Sequence, residues 1–158
     1  MCPLPSAAWA CHIAYMDTTR IDNRIGVRAS AEKIWDAIAD LENWHLWNPF
    51  ETNLKGSLGF KAPLSFEESF PSVGPRQVQA TITEWEPCGQ LLWVENRGFL
   101  FRSIRYYEIE TLEKDACVVT NGILFGGLRG EMYHDKHRAK IRPHLMTINE
   151  KLKAYVES

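Results

Sequence analysis

The 158-residue chain lacks a surplus of charge of either sign, a long apolar run, and much glycine or proline. Its 18 basic and 20 acidic side chains give a formal net charge of −2, whereas a nucleic-acid-binding domain usually carries a basic surplus or stripe. No segment approaches the roughly 18 consecutive apolar residues of a membrane-spanning helix. Ten glycines and eight prolines are too few for a fibrous or disordered chain. We therefore predict a globular chain with no nucleic-acid partner and no membrane span.

Cysteine is also scarce, and the four residues Cys2, Cys11, Cys88 and Cys117 form no C-x-x-C pair. The spacing encodes neither a zinc ribbon nor a redox-active dithiol. The apolar stretch near the N-terminus has no basic start and is interrupted by His12, unlike a secretory leader. We predict a cytoplasmic protein that needs no cofactor.

Motifs for nucleophilic, phosphate or metal chemistry are missing as well. The chain has no G-x-S-x-G string, and Gly126-Gly127 lacks the lysine and hydroxyl residue of a P-loop. His134 and His137 are three apart on a predicted helix, with Glu131 one turn earlier, but no further ligand is indicated on another element. We predict no metal site and keep His134 as a candidate general acid or base.

Apolar side chains are abundant: 45% of the residues are hydrophobic and 24% are charged. The length fits about one domain, and a chain of this size can bury roughly 68–70% of its unfolded surface. Regular alternation begins near Arg20. We therefore predict an N-terminal extension over residues 1–18 and a single domain over residues 19–158.

The first patterned segments predict a strand and two short helices. Apolar and polar side chains alternate over residues 20–28, which is the period of a half-buried strand. Ser30 stands at an N-cap position before an apolar stripe, and Asp40 could start a second short helix that ends before Pro49. Turn residues then divide six further strand segments, at 51–56, 64–70, 76–86, 91–95, 99–112 and 117–125.

The chain after Gly127 predicts one long amphipathic helix. Its apolar residues recur at spacings of four, three, four and three, at Ile141, Leu145, Ile148, Leu152 and Tyr155. Pro143 removes a helical hydrogen bond, so we expect a bend there or two helices that meet there. Because the helix and the sheet each have one apolar face, they must bury these faces against each other. The fold class is α+β.

Five strings in this order resemble one known family. They are Ala31–Asp40, Trp47-Asn48-Pro49, Glu86–Trp93, Phe125–Leu128 and Asn149–Glu157. Together they resemble the SRPBCC superfamily, which includes START-type lipid-binding domains, plant pathogenesis-related allergens and polyketide cyclases or aromatases. The resemblance implies a helix-grip fold, in which a strongly curved antiparallel sheet of about seven strands wraps a long C-terminal helix, with two short helices after strand 1. It also implies a cavity between the sheet and the helix.

Polar residues that share the parity of the apolar inner face are the informative ones. On the long strand, Arg105 shares the parity of Phe99, Phe101 and Tyr107, all of which we expect to face inward. A buried arginine needs a partner. The parity of Glu68 or of Glu95 suits such a pairing.

The resemblance bears on two of these strands. Many cyclase-like relatives have a histidine where Arg105 aligns, and histidine and glutamate where Asn121 and Ile123 align. This chain therefore departs from the acid/base pattern of those relatives, although the resemblance still implies that these positions face the cavity.

We predict catalytic roles for Arg105, Tyr107 and His134. Arg105 could donate paired hydrogen bonds to an oxyanion or enolate, and Tyr107 or His134 could carry a proton. The predicted ligand-binding residues share the inward sides of the strands and the helix: Glu68, Glu95, Phe66, Trp47, Trp93, Phe101, Asn121, Ile123, Arg138, Ile141 and Leu145. In the alternative interpretation, Arg105 and a glutamate form an internal ion pair that holds strands in register.

The resemblance implies that the domain binds a small hydrophobic molecule, which could be aromatic, polyketide-like or a lipid. We predict that the protein is a monomer or a homodimer. Three functions stay open. The first is cofactor-free cyclisation, dehydration or aromatisation, the second is a non-catalytic carrier or sensor, and the third is an adaptor that binds a protein. A solidly packed interior would favour the adaptor.

Overall fold

A computed structural model describes residues 19–158, which form one antiparallel sheet and the helices that it holds. The strands lie in the order β1-β7-β6-β5-β4-β3-β2. The elements are β1 (Arg20–Val27), α1 (Ala31–Ala39), a 3₁₀ helix (Leu41–Leu46), β2 (Glu51–Gly56), β3 (Pro63–Phe70), β4 (Gly74–Glu86), β5 (Gln90–Gly98), β6 (Phe101–Glu113), β7 (Ala116–Gly126) and α2 (Leu128–Glu157). The predicted α+β helix-grip fold is confirmed.

The start of the chain folds as its local signals indicate. The Ser30 side chain accepts a hydrogen bond from the Lys33 backbone N–H and caps α1. The second short helix is a 3₁₀ helix, and the Asp40 side chain accepts a hydrogen bond from Asn43 Nδ2 at 2.7 Å. The chain thus turns twice before it enters β2.

The main core lies between the concave face of the sheet and the helices. The long helix α2 packs chiefly on β1 and β7 and buries Ile141, Leu145, Ile148 and Leu152. Cys117 is buried in this core as a free thiol, and burial raises its pKa. No helix within residues 19–158 is long and apolar enough to cross a membrane.

One local expectation is wrong, and one of the two alternatives expected at Pro143 is excluded. Phe99 does not face inward, because the chain reverses at Phe99 and Leu100 before β6 begins, and 80% of Phe99 is exposed. The C-terminal segment is also one uninterrupted helix from Leu128 to Glu157 that includes Pro143, so two separate helices do not meet there. The buried residues on both sides of Pro143 hold the helix on the sheet, which offsets the one hydrogen bond that proline cannot donate.

A smaller apolar cluster lies on the opposite face of the sheet and comprises Leu92, Ile104, Tyr106 and Leu124. Tyr106 pairs in register with Gly122 on the neighbouring strand. A Cβ atom at Gly122 would overlap the Tyr106 ring. Glycine is therefore required at this position by packing.

We expect Gly122→Ala to destabilise the domain by about 1–3 kcal/mol, the usual range for overpacking. The measurement is urea-induced unfolding followed by circular dichroism. Gly26→Ala is the matched control, because Gly26 also lies in a strand and a Cβ atom there meets nothing within 4 Å. Equal unfolding midpoints for the two variants would contradict the steric explanation.

Candidate functional site

Charged side chains form two clusters on the concave face of the sheet. The central cluster is Glu51, Arg105 and Asn121, together with Tyr107. The end cluster consists of Glu68, Arg76, Glu95 and Arg97, and it lies toward the β3–β4 and β5–β6 hairpins. Buried charge at these places carries a desolvation cost, so the geometry of each cluster decides what it can bind.

Arg105 is fully engaged within the central cluster. Its Nη2 lies 2.7 Å from Glu51 Oε1 and its Nε lies 3.3 Å from Glu51 Oε2, which makes a forked ion pair. Its Nη1 donates to Asn121 Oδ1 and to the Gly122 carbonyl at 2.9 Å, while Nη2 also reaches the Tyr107 hydroxyl at 3.3 Å. Both nitrogens of the fork and Nε are therefore occupied by the protein itself.

Glu51, and neither Glu68 nor Glu95, is the partner of Arg105. The prediction of an internal ion pair is correct, whereas the predicted partners are wrong. The Glu51 and Arg105 side chains are 0% and 4% exposed. Burial alone would lower the pKa of Arg105, but the adjacent Glu51 carboxylate raises it overall, so the guanidinium stays charged. This pair joins β2 at the sheet edge to β6 at the centre.

The Trp47-Asn48-Pro49 string places Glu51. Asn48 Oδ1 accepts hydrogen bonds from the backbone N–H groups of Phe50 and Glu51 at 3.1 and 3.0 Å. Asn48 Nδ2 also donates to Glu51 Oε1 at 3.2 Å. The first residue of β2 therefore turns inward with its carboxylate already bonded.

Tyr107 and Asn121 complete the central cluster and link it to α2. Burial raises the pKa of Tyr107 well above its ordinary value, so its hydroxyl keeps its proton. Asn121 Nδ2 donates to the Leu145 carbonyl at 3.3 Å. Since both residues are 0% exposed, they serve internal hydrogen bonds in this structure.

The end cluster is built around Arg76. Its Nε lies 2.7 Å from Glu68 Oε2, and its Nη1 lies 2.6 and 2.7 Å from the two oxygens of Glu95. Burial raises the pKa of Glu68, while Arg76 opposes this shift. One arginine thus holds two carboxylates that are both almost fully buried.

Arg97 has fewer carboxylate partners than Arg76, the other arginine of the end cluster. Its guanidinium lies 4.5 Å from the Phe101 ring centroid and 4.6 Å from that of Tyr133, so it is sandwiched between β6 and α2. Among residues 19–158, its ion-pair contact is Glu95 Oε1, 3.4 Å from Arg97 Nε. The side chain is 13% exposed. A guanidinium has five N–H donors, whereas the ion-pair contact of Arg97 within the described residues is this single one.

The predicted aromatic lining residues pack against one another. Trp93 lies 6.0 Å from Phe66 and 6.2 Å from Tyr107 between ring centroids, and Trp44 lies 4.9 Å from Trp47. All five residues are almost fully buried. These side chains therefore contact one another within the core.

The remaining predicted residues occupy different environments. Ile123 and the helix residues Ile141 and Leu145 are buried in the core. His134 is also buried, with Nδ1 3.2 Å from Asp135 Oδ1, whereas the structure exposes Arg138 to solvent. Within residues 19–158, no hydrogen bond joins His134 to Arg105 or Tyr107, and the catalytic roles of the three residues stay predictions. Among residues 19–158, no three His, Cys, Asp or Glu side chains could hold a metal ion.

The β3–β4 hairpin closes over α2 beside the end cluster. Ser72 Oγ lies 2.7 Å from His144 Nε2, and the His144 ring stacks on Phe70 with centroids 5.4 Å apart. Burial lowers the pKa of His144, which favours the neutral ring. Four clefts lined by the described residues are open to solvent, including one of about 390 Å³ between α1 and the end of α2. They differ from the enclosed chamber that the resemblance implies.

Three functional candidates were missed from the sequence. Arg76 shares the parity of the buried Val78, and Arg97 that of Trp93, so both carried a usable signal. For Glu51 the sequence carried no such signal, because β2 has an irregularity between Thr52 and Lys55 that breaks the alternation of inward and outward side chains.

The curled sheet that holds a long C-terminal helix defines the SRPBCC class of helix-grip domains. Residues 18–157 match the family model described as polyketide cyclase / dehydrase and lipid transport, and the chain belongs to this family. A comparison with curated proteins finds no match.

Solved structures agree on the fold. The chain is similar to a START superfamily protein of Mycobacterium smegmatis, with 16% identity and a TM-score of 0.69, over 87% of this chain and 97% of that one. A hypothetical protein of Helicobacter pylori gives 16% identity and a TM-score of 0.76, over 99% of both chains. An aromatase/cyclase of Streptomyces gives 10% identity and a TM-score of 0.69, over 87% of this chain and 93% of that one. At these identities the likeness concerns the fold alone.

Proposed function

We propose that this domain is a non-catalytic carrier or sensor that binds a hydrophobic molecule with an anionic head group. The apolar part would lie along the concave face, and the head would bind Arg97 at the end cluster. The proposal depends mainly on one observation: Arg97 is largely buried between two aromatic rings, yet has a single, long ion-pair contact among the described residues. The membership of a family that includes lipid transport supports the same class of ligand.

The end cluster suits an anion because its two arginines differ in their number of carboxylate partners. Arg76 bonds to two carboxylates, and Arg97 contacts one. Arg76 is bound to both carboxylates, so it positions Glu68 and Glu95. Arg97 then faces a carboxylate that is already shared with Arg76. An incoming carboxylate, phenolate or phosphate would find a guanidinium that is fixed by stacking and needs little reorganisation.

Access would require the closed hairpin to move. Ser72 Oγ holds the β3–β4 hairpin against α2 through hydrogen bonds to the Lys140 carbonyl at 3.2 Å and with His144 Nε2 at 2.7 Å, and Phe70 adds its ring stack on His144. Such local contacts on a hairpin open more easily than the sheet does. A ligand would therefore displace side chains at this end and would not enter a preformed chamber.

Cofactor-free cyclisation, dehydration or aromatisation is the second candidate function. The family description includes cyclases and dehydrases, so this hypothesis stays a prediction. We favour binding, because Arg105 and Tyr107 are committed to internal hydrogen bonds. The cytoplasmic location and the monomeric or homodimeric state likewise stay predictions.

The test uses palmitate and its methyl ester as probes and measures binding by isothermal titration calorimetry. We expect saturable binding of palmitate and weaker binding of the ester. Arg97→Gln should reduce palmitate affinity at least about tenfold, since a tenfold change corresponds to about 1.4 kcal/mol, the scale of one charged hydrogen bond. It should leave the affinity for the ester nearly unchanged.

Arg142→Gln is the matched control, because Arg142 is exposed on the same helix that carries Tyr133. Its palmitate affinity should equal that of the unmodified protein. Equal losses for the acid and the ester, or no loss in Arg97→Gln, would refute the assigned role of Arg97. If the unmodified protein binds neither probe, the carrier proposal fails for this ligand class.

A further inference from the structure

Large apolar side chains are exposed together at one end of the molecule. Of the ten exposed in the described part of the chain, four belong to the β5–β6 turn and the first turns of α2. They are Phe99, Leu100, Leu128 and Met132, with exposed fractions of 80%, 47%, 60% and 66%. We name this group the apolar tip.

The backbone fixes the tip. The Arg129 N–H donates to the Leu100 carbonyl at 3.1 Å, and Arg129 Nη1 reaches the Phe99 carbonyl at 3.4 Å. Gly127 has a positive φ of 82°, and a Cβ atom there would overlap the Leu100 carbonyl. The turn and the helix start are therefore in close contact and present their side chains as one surface. A cleft of about 540 Å³ lined by Leu100 and Phe101 adjoins it.

Leu100 itself has a positive φ of 53°, a conformation that leucine adopts rarely. Glycine or asparagine would suit this position better. Since nearly half of the Leu100 side chain is exposed, core packing does not explain the choice. An apolar residue placed outward on an unfavourable backbone points to contact with another apolar phase.

Basic residues surround the tip. Along the outward side of α2, Met132 is followed at helical spacing by Lys136 and Lys140, both exposed, and Arg129 lies at the base of the tip. Over residues 127–140, the four positive charges of Arg129, Lys136, Arg138 and Lys140 outnumber the two negative charges of Glu131 and Asp135. The whole chain has a net charge of −2, so this end differs in sign from the molecule as a whole.

We propose that the apolar tip docks on the surface of an anionic lipid bilayer. Phe99, Leu128 and Met132 would enter the interface between head groups and acyl chains, and the lysines would contact the head groups. Docking itself does not need the carrier function. The end cluster lies at the same end of the sheet as the β5–β6 turn, so docking would bring it close to the lipids. That docking loads the domain with a lipid ligand rests on the proposed function.

The test is flotation of the full chain, without added ligand, with vesicles of phosphatidylcholine alone and with vesicles that contain one third phosphatidylglycerol. We expect binding to the anionic vesicles that weakens with salt. The triple variant Phe99→Ser, Leu128→Ser, Met132→Ser should lose at least about tenfold in vesicle affinity. The double variant Lys136→Glu, Lys140→Glu should abolish the salt-sensitive part of the binding to anionic vesicles.

The matched control replaces Phe60 and Leu112, which are 72% and 59% exposed, by serine. They lie at the opposite end of the sheet, in the β2–β3 connection and at the end of β6, and this double variant should bind vesicles like the unmodified protein. No binding to anionic vesicles, or equal losses in both sets of variants, would overturn the proposal. If the triple variant abolishes self-association in sedimentation velocity and vesicle binding is absent, the tip is a protein interface and membrane docking is refuted. Failure of palmitate binding would leave the vesicle result unaffected, so the two proposals can fail separately.

Discussion

Arg105→Met should destabilise the domain by about 3–5 kcal/mol, the usual cost of removing one partner from a buried ion pair. The variant leaves the Glu51 carboxylate fully buried without its forked partner. It also removes the donors to Asn121 and the Gly122 carbonyl. Because a domain of this size is stable by only about 5–15 kcal/mol, this is a large fraction of the total. Urea unfolding followed by intrinsic fluorescence measures it.

A double variant separates the ion pair from the packing. Replacing Glu51 by Leu together with Arg105→Met should recover much of the loss, because neither charge is then left buried alone. Arg24→Gln serves as the control. Arg24 forms an ion pair with Glu110 at the same 2.7 Å separation, but both side chains are more than half exposed, so the expected effect is below about 1 kcal/mol. A loss in Arg105→Met no larger than that in Arg24→Gln would show that the buried pair is not a structural requirement.

This pair illustrates how far the sequence alone leads. The alternation of β6 and β7 correctly placed Arg105 and Asn121 inside, since a side chain in a regular strand has only two faces. The partner could not be found in the same way. Glu51 faces inward because Asn48 turns the chain, and Asn53, with a positive φ of 54°, breaks the alternation of β2.

The fold itself was easier to predict than its edges. All seven strands and the long helix follow from periodicity and turn residues, and the resemblance supplies their arrangement. The β5–β6 turn was misplaced because Phe99 and Leu100 are apolar and continue the strand pattern. Apolar residues that serve an external contact cannot be separated from core residues by pattern alone.

The packing of the predicted aromatic lining residues against one another is the main difference from the expected site. Tryptophan suits both a packed core and the lining of a ligand site, so the sequence alone does not distinguish these roles for Trp44, Trp47 and Trp93. Only coordinates distinguish them. Their ring contacts place them in the core of this structure. The polar groups that could meet a ligand lie instead at the end of the sheet, where Arg76 and Arg97 were overlooked although their parity indicated an inward position.

The second large effect concerns Arg76. Arg76→Met should destabilise the domain by about 3 kcal/mol near pH 8 and by clearly less near pH 5. The variant leaves Glu68 and Glu95, each only 7% exposed at the side chain, without the arginine that holds them. Urea unfolding at the two pH values, with the unmodified protein measured in parallel, gives the difference.

The sign of the pH dependence follows from Glu68. Burial raises its pKa above the ordinary value, and Arg76 opposes that rise. A carboxyl whose folded-state pKa is raised stabilises the fold at low pH, and this contribution is lost as the pH rises from the ordinary value through the folded-state pKa. Without Arg76 the pKa of Glu68 rises further, so the loss extends to higher pH. Arg76→Lys is the matched variant: it keeps the charge but not the fork, so it should lose stability with little change between the two pH values. A loss in Arg76→Met that is equal at both pH values, or larger near pH 5, would mean that Arg76 does not control the ionisation of Glu68.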